Sequence, residues 1–404
     1  MMILKLAWRN LWRNKRRTLI TSSAVFFAAF LSIAMNSIQD GMHKQMIQNV
    51  VGYYSGYVQI HQDGYWAEQT IDNTFTVEEQ VQKVANDHPS VERSVPRLES
   101  FALAIADDVS RPAMVVGVDP LLEDEFTKLQ AKLVKGDYFS ANGQEVIVAE
   151  GLLEKLKIGL GDTIILLGQG YHGVTAAGKY PIGGIMKLGA PELNSRLIYL
   201  PLAAAQEMYG APELLTSLAL DISTPDKSAQ VAQKLQEDLP EGYEVMDWKS
   251  MMPELVQLLE ADKGGNVILL GILYLVVGFG IFGTVLMMTA ERRYEFGVLI
   301  GIGMKKIKLA ATVLLETIFI SLLGVLVGSI FALPLVSYFH YNPIYLEGLK
   351  EAYEQYGFEP VLMTSIEPSI FINQAIIVLV ISCLISIYPA FRIMKIDPVK
   401  AMHV

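Results

Sequence analysis

The stretch closest to a catalytic motif is GVTAAGKY, from Gly173 to Tyr180. It has the spacing of a phosphate-binding loop, G-x-x-x-x-G-K, but Tyr180 stands where that loop needs a serine or threonine hydroxyl for Mg²⁺. We interpret it as a glycine-rich hairpin. The six histidines are scattered without metal-binding spacing, and no serine-nucleophile elbow occurs. The sequence therefore predicts a protein that is not an enzyme and holds no metal.

One carboxylate lies inside an otherwise apolar run. Glu316 is the only charge in residues 309–339, and a carboxylate within a membrane is costly and often functional. It lies about two helical turns beyond Lys308, near the edge of the run. We favour pairing with another helix over a role in energy coupling.

Four apolar runs are long enough to be membrane spans, since a helix needs about 20 apolar residues to cross roughly 30 Å of hydrocarbon. The predicted spans are residues 18–40, which include the start of a stalk, 266–290, 309–339 and 370–391. The first apolar stretch is longer than that of a usual signal peptide, so we interpret it as a retained anchor.

The charges between these runs predict the orientation. Residues 1–17, 291–308 and 392–404 carry 14 basic and three acidic side chains, as expected for segments that stay inside the cell. Residues 41–265 and 340–369 then face outward, and their acidic excess argues against nucleic acid as a partner. We expect a multi-pass membrane protein with both termini in the cytoplasm and an amphipathic first helix on the membrane surface.

Residues 41–265 predict an extracytoplasmic domain. Segments 57–106 and 216–247 each read as strand, helix and strand, which indicates two βαβ-like units. Residues from about 107 to 212 would form an inserted β-rich lobe. The predicted fold class is an α+β membrane protein: four transmembrane helices, with a large α/β domain between the first and second.

The segment ERRYEFGVLIGIGM resembles the region between spans two and three of FtsX-like/MacB-type ABC transporter permeases. That family's pattern is roughly E-R-x-x-E-[FI]-G-x-L-[RK]-A-[IL]-G. The matching positions here are Glu291, Arg292, Glu295, Phe296, Gly297, Leu299 and Gly303. The tail YPAFRIMKIDPVKAM resembles the family's C-terminal signature at Pro389, Arg392, Pro398 and Ala401. Ile300 and Gly301 depart from the pattern, so the resemblance implies a less polar partner contact than is usual.

The resemblance implies that residues 291–308 form a coupling helix seated in a groove of a separate cytoplasmic ABC ATPase dimer. Polar contacts would come from Glu291, Arg292 and Glu295, with Arg293 in the same candidate set. Phe296 and Leu299 would fill the groove, and Gly297, Gly301 and Gly303 would allow close approach. ATP and Mg²⁺ would bind the ATPase, so the permease needs no cofactor; a second, identical or related permease would pair with it. A plain basic loop between two spans is the alternative.

The resemblance is greatest to the lipoprotein-releasing LolC/LolE branch, through the chain length and PIGGIMKLGAPELNSRLIYLPLAAAQ. It implies mechanotransmission, in which ATPase closure moves stalk helices and a lipoprotein passes from the inner membrane to a periplasmic chaperone. The acyl chains would contact Met35, Ile38, Met42, Val267, Leu270 and Tyr274, although packing or lipid contact is an alternative for each. Export of a peptide or amphiphile, and FtsX-like control of a cell-wall hydrolase, stay open.

Overall fold

The computed structural model describes residues 2–13, 15–76, 78–346, 348 and 361–397. Its helices are α1 (Met2–Arg13), α2 (Lys15–Ile47), α3 (Tyr65–Glu68), α4 (Glu79–Asp87), α5 (Pro120–Thr127), α6 (Glu150–Leu156), α7 (Pro191–Asn194), α8 (Leu202–Tyr209), α9 (Ser228–Asp238), α10 (Trp248–Met251), α11 (Pro253–Glu291), α12 (Arg293–Gly301), α13 (Lys306–Tyr341) and α14 (Pro368–Met394). Its strands are β1 (Val58–Gln62), β2 (Val91–Ala106), β3 (Val109–Val118), β4 (Leu133–Gly136), β5 (Val146–Ala149), β6 (Thr163–Gln169), β7 (Thr175–Met186), β8 (Leu197–Pro201), β9 (Ser217–Ile222), β10 (Tyr243–Asp247), β11 (Ile344–Tyr345) and β12 (Val361–Leu362).

The described chain divides into two compact units. The helical unit contains the described residues up to His43, those of 259–345 and those from Val361 onward, whereas the α/β unit contains those of 44–258. Four helices, α2 with its π-helical continuation Gln48–Ser55, α11, α13 and α14, are long and apolar enough to cross a membrane. Residues 347 and 349–360 of the predicted outer loop 340–369 lie outside the described residues.

Small residues bring the helices of the helical unit close together. A Cβ added at Gly324 of α13 would lie 2.6 Å from Val25 Cβ of α2, and one at Gly328 would lie 2.9 Å from Ala29 Cβ. The two glycines therefore form a small-xxx-small contact. About one turn before Gly324, the buried hydroxyl of Ser321 on α13 donates to Ser382 of α14 at 2.7 Å.

The core of the α/β unit is built from two strand–helix–strand segments, as the sequence predicts. They are β1–α4–β2 and β9–α9–β10, and their strands lie in the order β10-β1-β9-β2. All three pairings are antiparallel. This is the arrangement of a ferredoxin-like split βαβ fold, and the apolar faces of its helices and strands share one buried cluster.

The insertion between β2 and β9 extends the same sheet. β3 pairs with β2, then β8, β5, β7 and β4 follow, and β6 pairs with both β2 and β7. The insertion also contains α5 to α8, so it is a mixed α/β lobe. The GVTAAGKY stretch lies in the antiparallel β6–β7 hairpin, which confirms the hairpin interpretation.

A buried ion pair joins the insertion to this core. The guanidinium of Arg97 on β2 is fully buried and donates to both carboxylate oxygens of Glu123 on α5, at 3.0 and 2.7 Å. A third donor contacts the carbonyl of Tyr54 at 2.5 Å. Burial alone lowers the pKa of Arg97, but Glu123 together with Tyr199, Glu99 and Tyr54 outweighs this effect and raises that pKa above its ordinary value. These contacts satisfy a charge that would otherwise be costly to bury.

We predict that Gly324→Val destabilises the helical unit by about 1–3 kcal/mol, because the new methyl groups force α2 away from α13. The matched control is Gly283→Val on α11, where an added Cβ meets nothing within 4 Å among the described residues. Thermal unfolding of the purified chain should show a lower midpoint for Gly324→Val only. Equal shifts for the two variants would contradict this packing.

Candidate functional site

The segment ERRYEFGVLIGIGM, which resembles the family motif, forms a short helix between two helices that are long enough to span a membrane. α11 ends at Glu291, α12 runs from Arg293 to Gly301, and α13 begins at Lys306. The turn after α12 is closed by hydrogen bonds from the Gly303 and Met304 amides to the Ile300 and Leu299 carbonyls, both at 3.0 Å. Gly303 has φ +101 and a Cβ there would meet open space. Glycine at position 303 therefore allows the turn that ends α12.

Arg292 stands at the centre of an ion-pair network beside α12. Its guanidinium donates to Glu316 of α13 at 2.7 Å and to Glu295 of α12 at 3.2 Å. The second Glu316 oxygen accepts a hydrogen bond from Asn10 at 2.6 Å, and Glu295 also accepts from Arg13 at 2.5 Å. The network therefore ties α1, α12 and α13 together at one end of the helical unit. The expectation that Glu316 pairs with another helix is confirmed.

The network is buried on its Glu316 side and open on its Glu295 side. The side chains of Glu316 and Arg292 are only 3% and 14% exposed, whereas Glu295 is 44% exposed. Burial alone raises the pKa of Glu295, but the hydrogen bonds and the charges of Arg13 and Arg292 together outweigh it and lower that pKa below its ordinary value. Two carboxylates face two guanidiniums, so the buried charges are balanced.

α1 contributes an apolar face as well as its polar side chains. Ala7 and Leu11 are buried, and the ring of Trp8 meets Phe319 of α13 edge-to-face at 5.8 Å. Trp8 and Trp12 stay about half exposed. The predicted amphipathic helix thus has part of its apolar face covered by α13, and its tryptophans are available for the membrane interface.

α12 is attached to the bundle by its apolar side. Phe296 is 1% exposed and packs in a buried cluster with Val285 of α11, Leu309 of α13 and Ile393 of α14. Leu299 packs against the same cluster. The prediction that Phe296 enters a partner's groove is therefore wrong, because its ring is already enclosed by its own helices. Arg292 lies over that ring at 5.2 Å.

The exposed face of α12 and its turn carries other side chains. Tyr294 is 57% exposed and Ile302 is 77% exposed, while Arg293 and Gly301 are also exposed. Gly297 is buried, so it cannot serve close approach of a partner. Tyr294 is two residues from Phe296, so helical spacing places it on the opposite side of α12 from the buried ring. The sequence could therefore have indicated that Tyr294 is exposed. Ile302 could not be placed without the turn.

Family models match both units. The MacB-like periplasmic core domain matches residues 18–238, and the FtsX-like permease C-terminal model matches residues 267–398. The chain belongs to the FtsX-like/MacB-type family of ABC transporter permeases. The MacB-like match covers most of α2 and most of the α/β unit, and the FtsX-like match covers most of α11 together with α12, α13 and α14.

Individual relatives of this permease are distant. The lipoprotein-releasing system transmembrane protein LolC of Xylella fastidiosa is 23% identical over 335 residues, which cover 79% of each chain. The macrolide export ATP-binding/permease protein MacB of Burkholderia thailandensis is 21% identical over 345 residues, or 81% of this chain and 51% of that protein. This chain thus spans about half of that MacB. The periplasmic region of MacB from Actinobacillus actinomycetemcomitans gives a TM-score of 0.35 at 13% identity, covering 52% of this chain and 97% of that structure.

The C-terminal signature of the permease lies at the end of α14. Pro389 is buried, and the exposed guanidinium of Arg392 lies 5.7 Å from the Tyr388 ring centre. Ile393 and Ile396 join the cluster that encloses Phe296. Pro398 and Ala401 lie outside the described residues. The described part of the signature therefore helps to hold α12.

The six predicted acyl-chain contacts do not form one open surface. Val267 is 68% exposed, but Leu270 is 7% exposed, and the Tyr274 hydroxyl donates to Gln374 of α14. Leu270 is therefore a wrong assignment for a cargo contact in this conformation. Met35, Ile38 and Met42 are partly buried on α2.

Polar side chains that sequence reasoning missed join α2 to α11 near those positions. Asp262 accepts hydrogen bonds from Gln39 at 2.8 Å and contacts His43 at 2.7 Å. Asn266 donates to Gln39 at 2.5 Å. In the sequence, the only sign of this contact is that these polar residues stand at the ends of two apolar runs.

We predict that Glu316→Gln lowers the stability of the helical unit by about 3 kcal/mol, because Arg292 loses its buried counter-charge. Arg293→Gln, an exposed change on the same segment, should shift stability by less than about 0.5 kcal/mol. Thermal unfolding measures both. Tryptic cleavage after Arg9 and Arg13 should also accelerate in Glu316→Gln, since the new amide has one acceptor oxygen and cannot accept from Asn10 and Arg292 at once. Unchanged cleavage and stability would show that the ion pairs do not hold α1.

Proposed function

We propose that the chain is the membrane subunit of an ABC transporter that extracts lipoproteins from the inner membrane and transfers them to a periplasmic chaperone. A separate cytoplasmic ATPase dimer would bind ATP and Mg²⁺, and a second permease copy, identical or related, would complete the complex. The observation that carries the proposal is α12: a helix fixed to its own bundle by Phe296 and Arg292, with Tyr294 and Ile302 exposed.

This geometry suits the transfer of a mechanical movement. A force applied to the exposed face of α12 would pass through Arg292 to α13 and through Phe296 to α11 and α14. The exposed tyrosine and isoleucine would be the anchors in the ATPase groove, since buried aromatic and aliphatic side chains dominate interface energies. Arg293 would add a polar contact at the edge. The polar contacts first assigned to Arg292 and Glu295 would act within the permease.

The basic segments support an orientation with α1, α12 and the chain's C-terminal end in the cytoplasm. Residues 1–17, 291–308 and 392–404 hold 14 basic and three acidic side chains. Short segments of this kind stay on the cytoplasmic side. The α/β unit would then be extracytoplasmic.

The choice of lipoprotein as cargo rests on the LolC relative, which aligns over 79% of both chains. Export of an amphiphile is the second candidate, because the MacB relative is a macrolide exporter by its name and aligns over 81% of this chain. The two candidates share the same membrane and α/β parts. They differ in what should be found bound to the complex.

The test is purification of the tagged chain from its native host in lipid nanodiscs, followed by mass spectrometry of bound proteins and lipids. An ATPase with acylated proteins is the expected result. An ATPase with a small amphiphile would replace lipoprotein release by export. A cell-wall hydrolase without an ATPase would favour FtsX-like signalling, and no ATPase under any condition would overturn the transporter proposal.

We predict that a Tyr294→Ala/Ile302→Ser double variant recovers at least about tenfold less ATPase than the parent, because loss of interface anchors costs upwards of about 2 kcal/mol. Tyr341→Ala is the matched control, since Tyr341 is 72% exposed at the other end of α13. Quantitative mass spectrometry of the purified complexes measures the ratio. If both variants recover equal amounts of the ATPase, the exposed face of α12 does not contact the ATPase.

A further inference from the structure

Two adjacent glycines, Gly264 and Gly265, lie inside α11, which is helical through both. Glycine is unfavourable in a helix interior because its backbone loses the most conformational freedom on folding. Other glycines of the chain have a local reason: Gly324 is packed against α2, and Gly303 has a positive φ. The pair has neither, since its φ values are not positive and a Cβ added at either position would meet nothing within 4 Å among the described residues. This conformation of α11 therefore requires no glycine at these two positions.

The surroundings of this glycine pair differ from those of the other open glycines of α11. Gly271, Gly280 and Gly283 also have free space for a Cβ. However, no two of them are adjacent, and they lie in the apolar run 266–290, where glycine is frequent in membrane helices. The pair directly precedes that run and follows Lys263. It therefore stands where α11 enters the predicted span.

Polar contacts to α2 lie on both sides of the glycine pair. Before it, Oδ2 of Asp262 accepts a hydrogen bond from Gln39 at 2.8 Å and contacts Nε2 of His43 at 2.7 Å. After it, the Asn266 side chain donates to Gln39 at 2.5 Å and to Asn36 at 3.3 Å. These five side chains, which we call the polar clamp, all belong to the helical unit. They attach α11 to α2 across the single turn that contains both glycines.

Gln39 also contacts the main chain of α11. Its side-chain amide donates to the carbonyl of Asp262 at 3.0 Å. In an α-helix this carbonyl accepts the amide of residue 266, so that helical hydrogen bond closes over the glycine pair. If the helix opens at the pair, Gln39 keeps the carbonyl paired, whereas an unpaired backbone group beside hydrocarbon would be costly. α2 therefore supplies a replacement partner at the position where glycine weakens α11.

We infer that the glycine pair is a hinge in α11 and that the polar clamp holds this hinge in its helical conformation. Hinges are positions that absorb large φ/ψ changes, and they are often small residues. Release of the clamp would let residues 259–263 change direction relative to the span that follows. Water can compete for the clamp, because the Asp262 side chain is 49% exposed although that of His43 is only 7% exposed. The inference concerns the helical unit alone and does not depend on the ATPase or on the cargo.

The test uses the full chain in nanodiscs, with the native cysteine replaced and pulsed electron spin resonance between two labels. Labels at Glu260, an exposed position before the pair, and at Leu326 on α13 report on the hinge. In Asp262→Ala/Asn266→Ala, this distance distribution should be at least about twice as wide as in the parent, because helical and bent conformers are both populated. Val276 follows the pair, so labels at Val276 and Leu326 should keep the parent width.

Alanine at the pair identifies the hinge. Gly264→Ala/Gly265→Ala, added to the clamp variant, should return the first distribution to the parent width, since alanine is the best helix former. Gly271→Ala/Gly283→Ala is the matched control, because it makes the same change at equally open positions of α11, and it should leave the distribution wide. An unchanged width in the clamp variant, a wide distribution that alanine at the pair does not narrow, or equal rescue by both alanine pairs would overturn the inference.

If the clamp variant fails to fold, hydrogen exchange without the clamp changes decides. Gly264→Ala/Gly265→Ala alone should slow exchange of the amides of residues 264–268 at least about tenfold, because each alanine favours the closed helix. Gly271→Ala/Gly283→Ala should leave the exchange of those amides as it is in the parent. Equal exchange in the two variants would show that the pair is not a hinge.

Discussion

The helical unit depends on one charge pair that is almost removed from water. Arg292 directly precedes α12 and Glu316 lies on α13, and their side chains are only 14% and 3% exposed. A buried pair of this kind adds little net stability over an apolar contact, but loss of one partner is severe because the other charge stays buried. The pair therefore specifies where α12 lies more than it stabilises the bundle as a whole.

This ion pair explains why one face of α12 is buried and the other is exposed. Arg292 and Phe296 lie one turn apart, and the guanidinium stacks on the ring that fills the junction of α11, α13 and α14. The neighbouring side chains of Arg293 and Tyr294 are exposed. The glycine contacts between α2 and α13 add a second rigid joint. The proposed transfer of movement from α12 to several spans depends on this attachment.

Periodicity in the sequence was sufficient to predict the spans, the two strand–helix–strand segments and the β6–β7 hairpin, because these are local patterns. The contacts that define the sites join distant residues. Asn10 and Glu316 are 306 positions apart, and no local pattern indicates that they meet. The family motif was informative about which residues matter around α12, but it could not separate Phe296, which faces inward, from Tyr294, which faces outward.

The central claim is that the Arg292–Glu316 pair fixes α12 to the membrane helices. Pulsed electron spin resonance between labels at Tyr294 and Leu326, both 57% exposed, measures this directly once Cys383 is replaced. The parent chain in nanodiscs should give one narrow distance distribution, and Glu316→Gln should broaden it, while Arg293→Gln should leave it narrow. An equally narrow distribution in Glu316→Gln would show that α12 is held without the ion pair and would contradict the account.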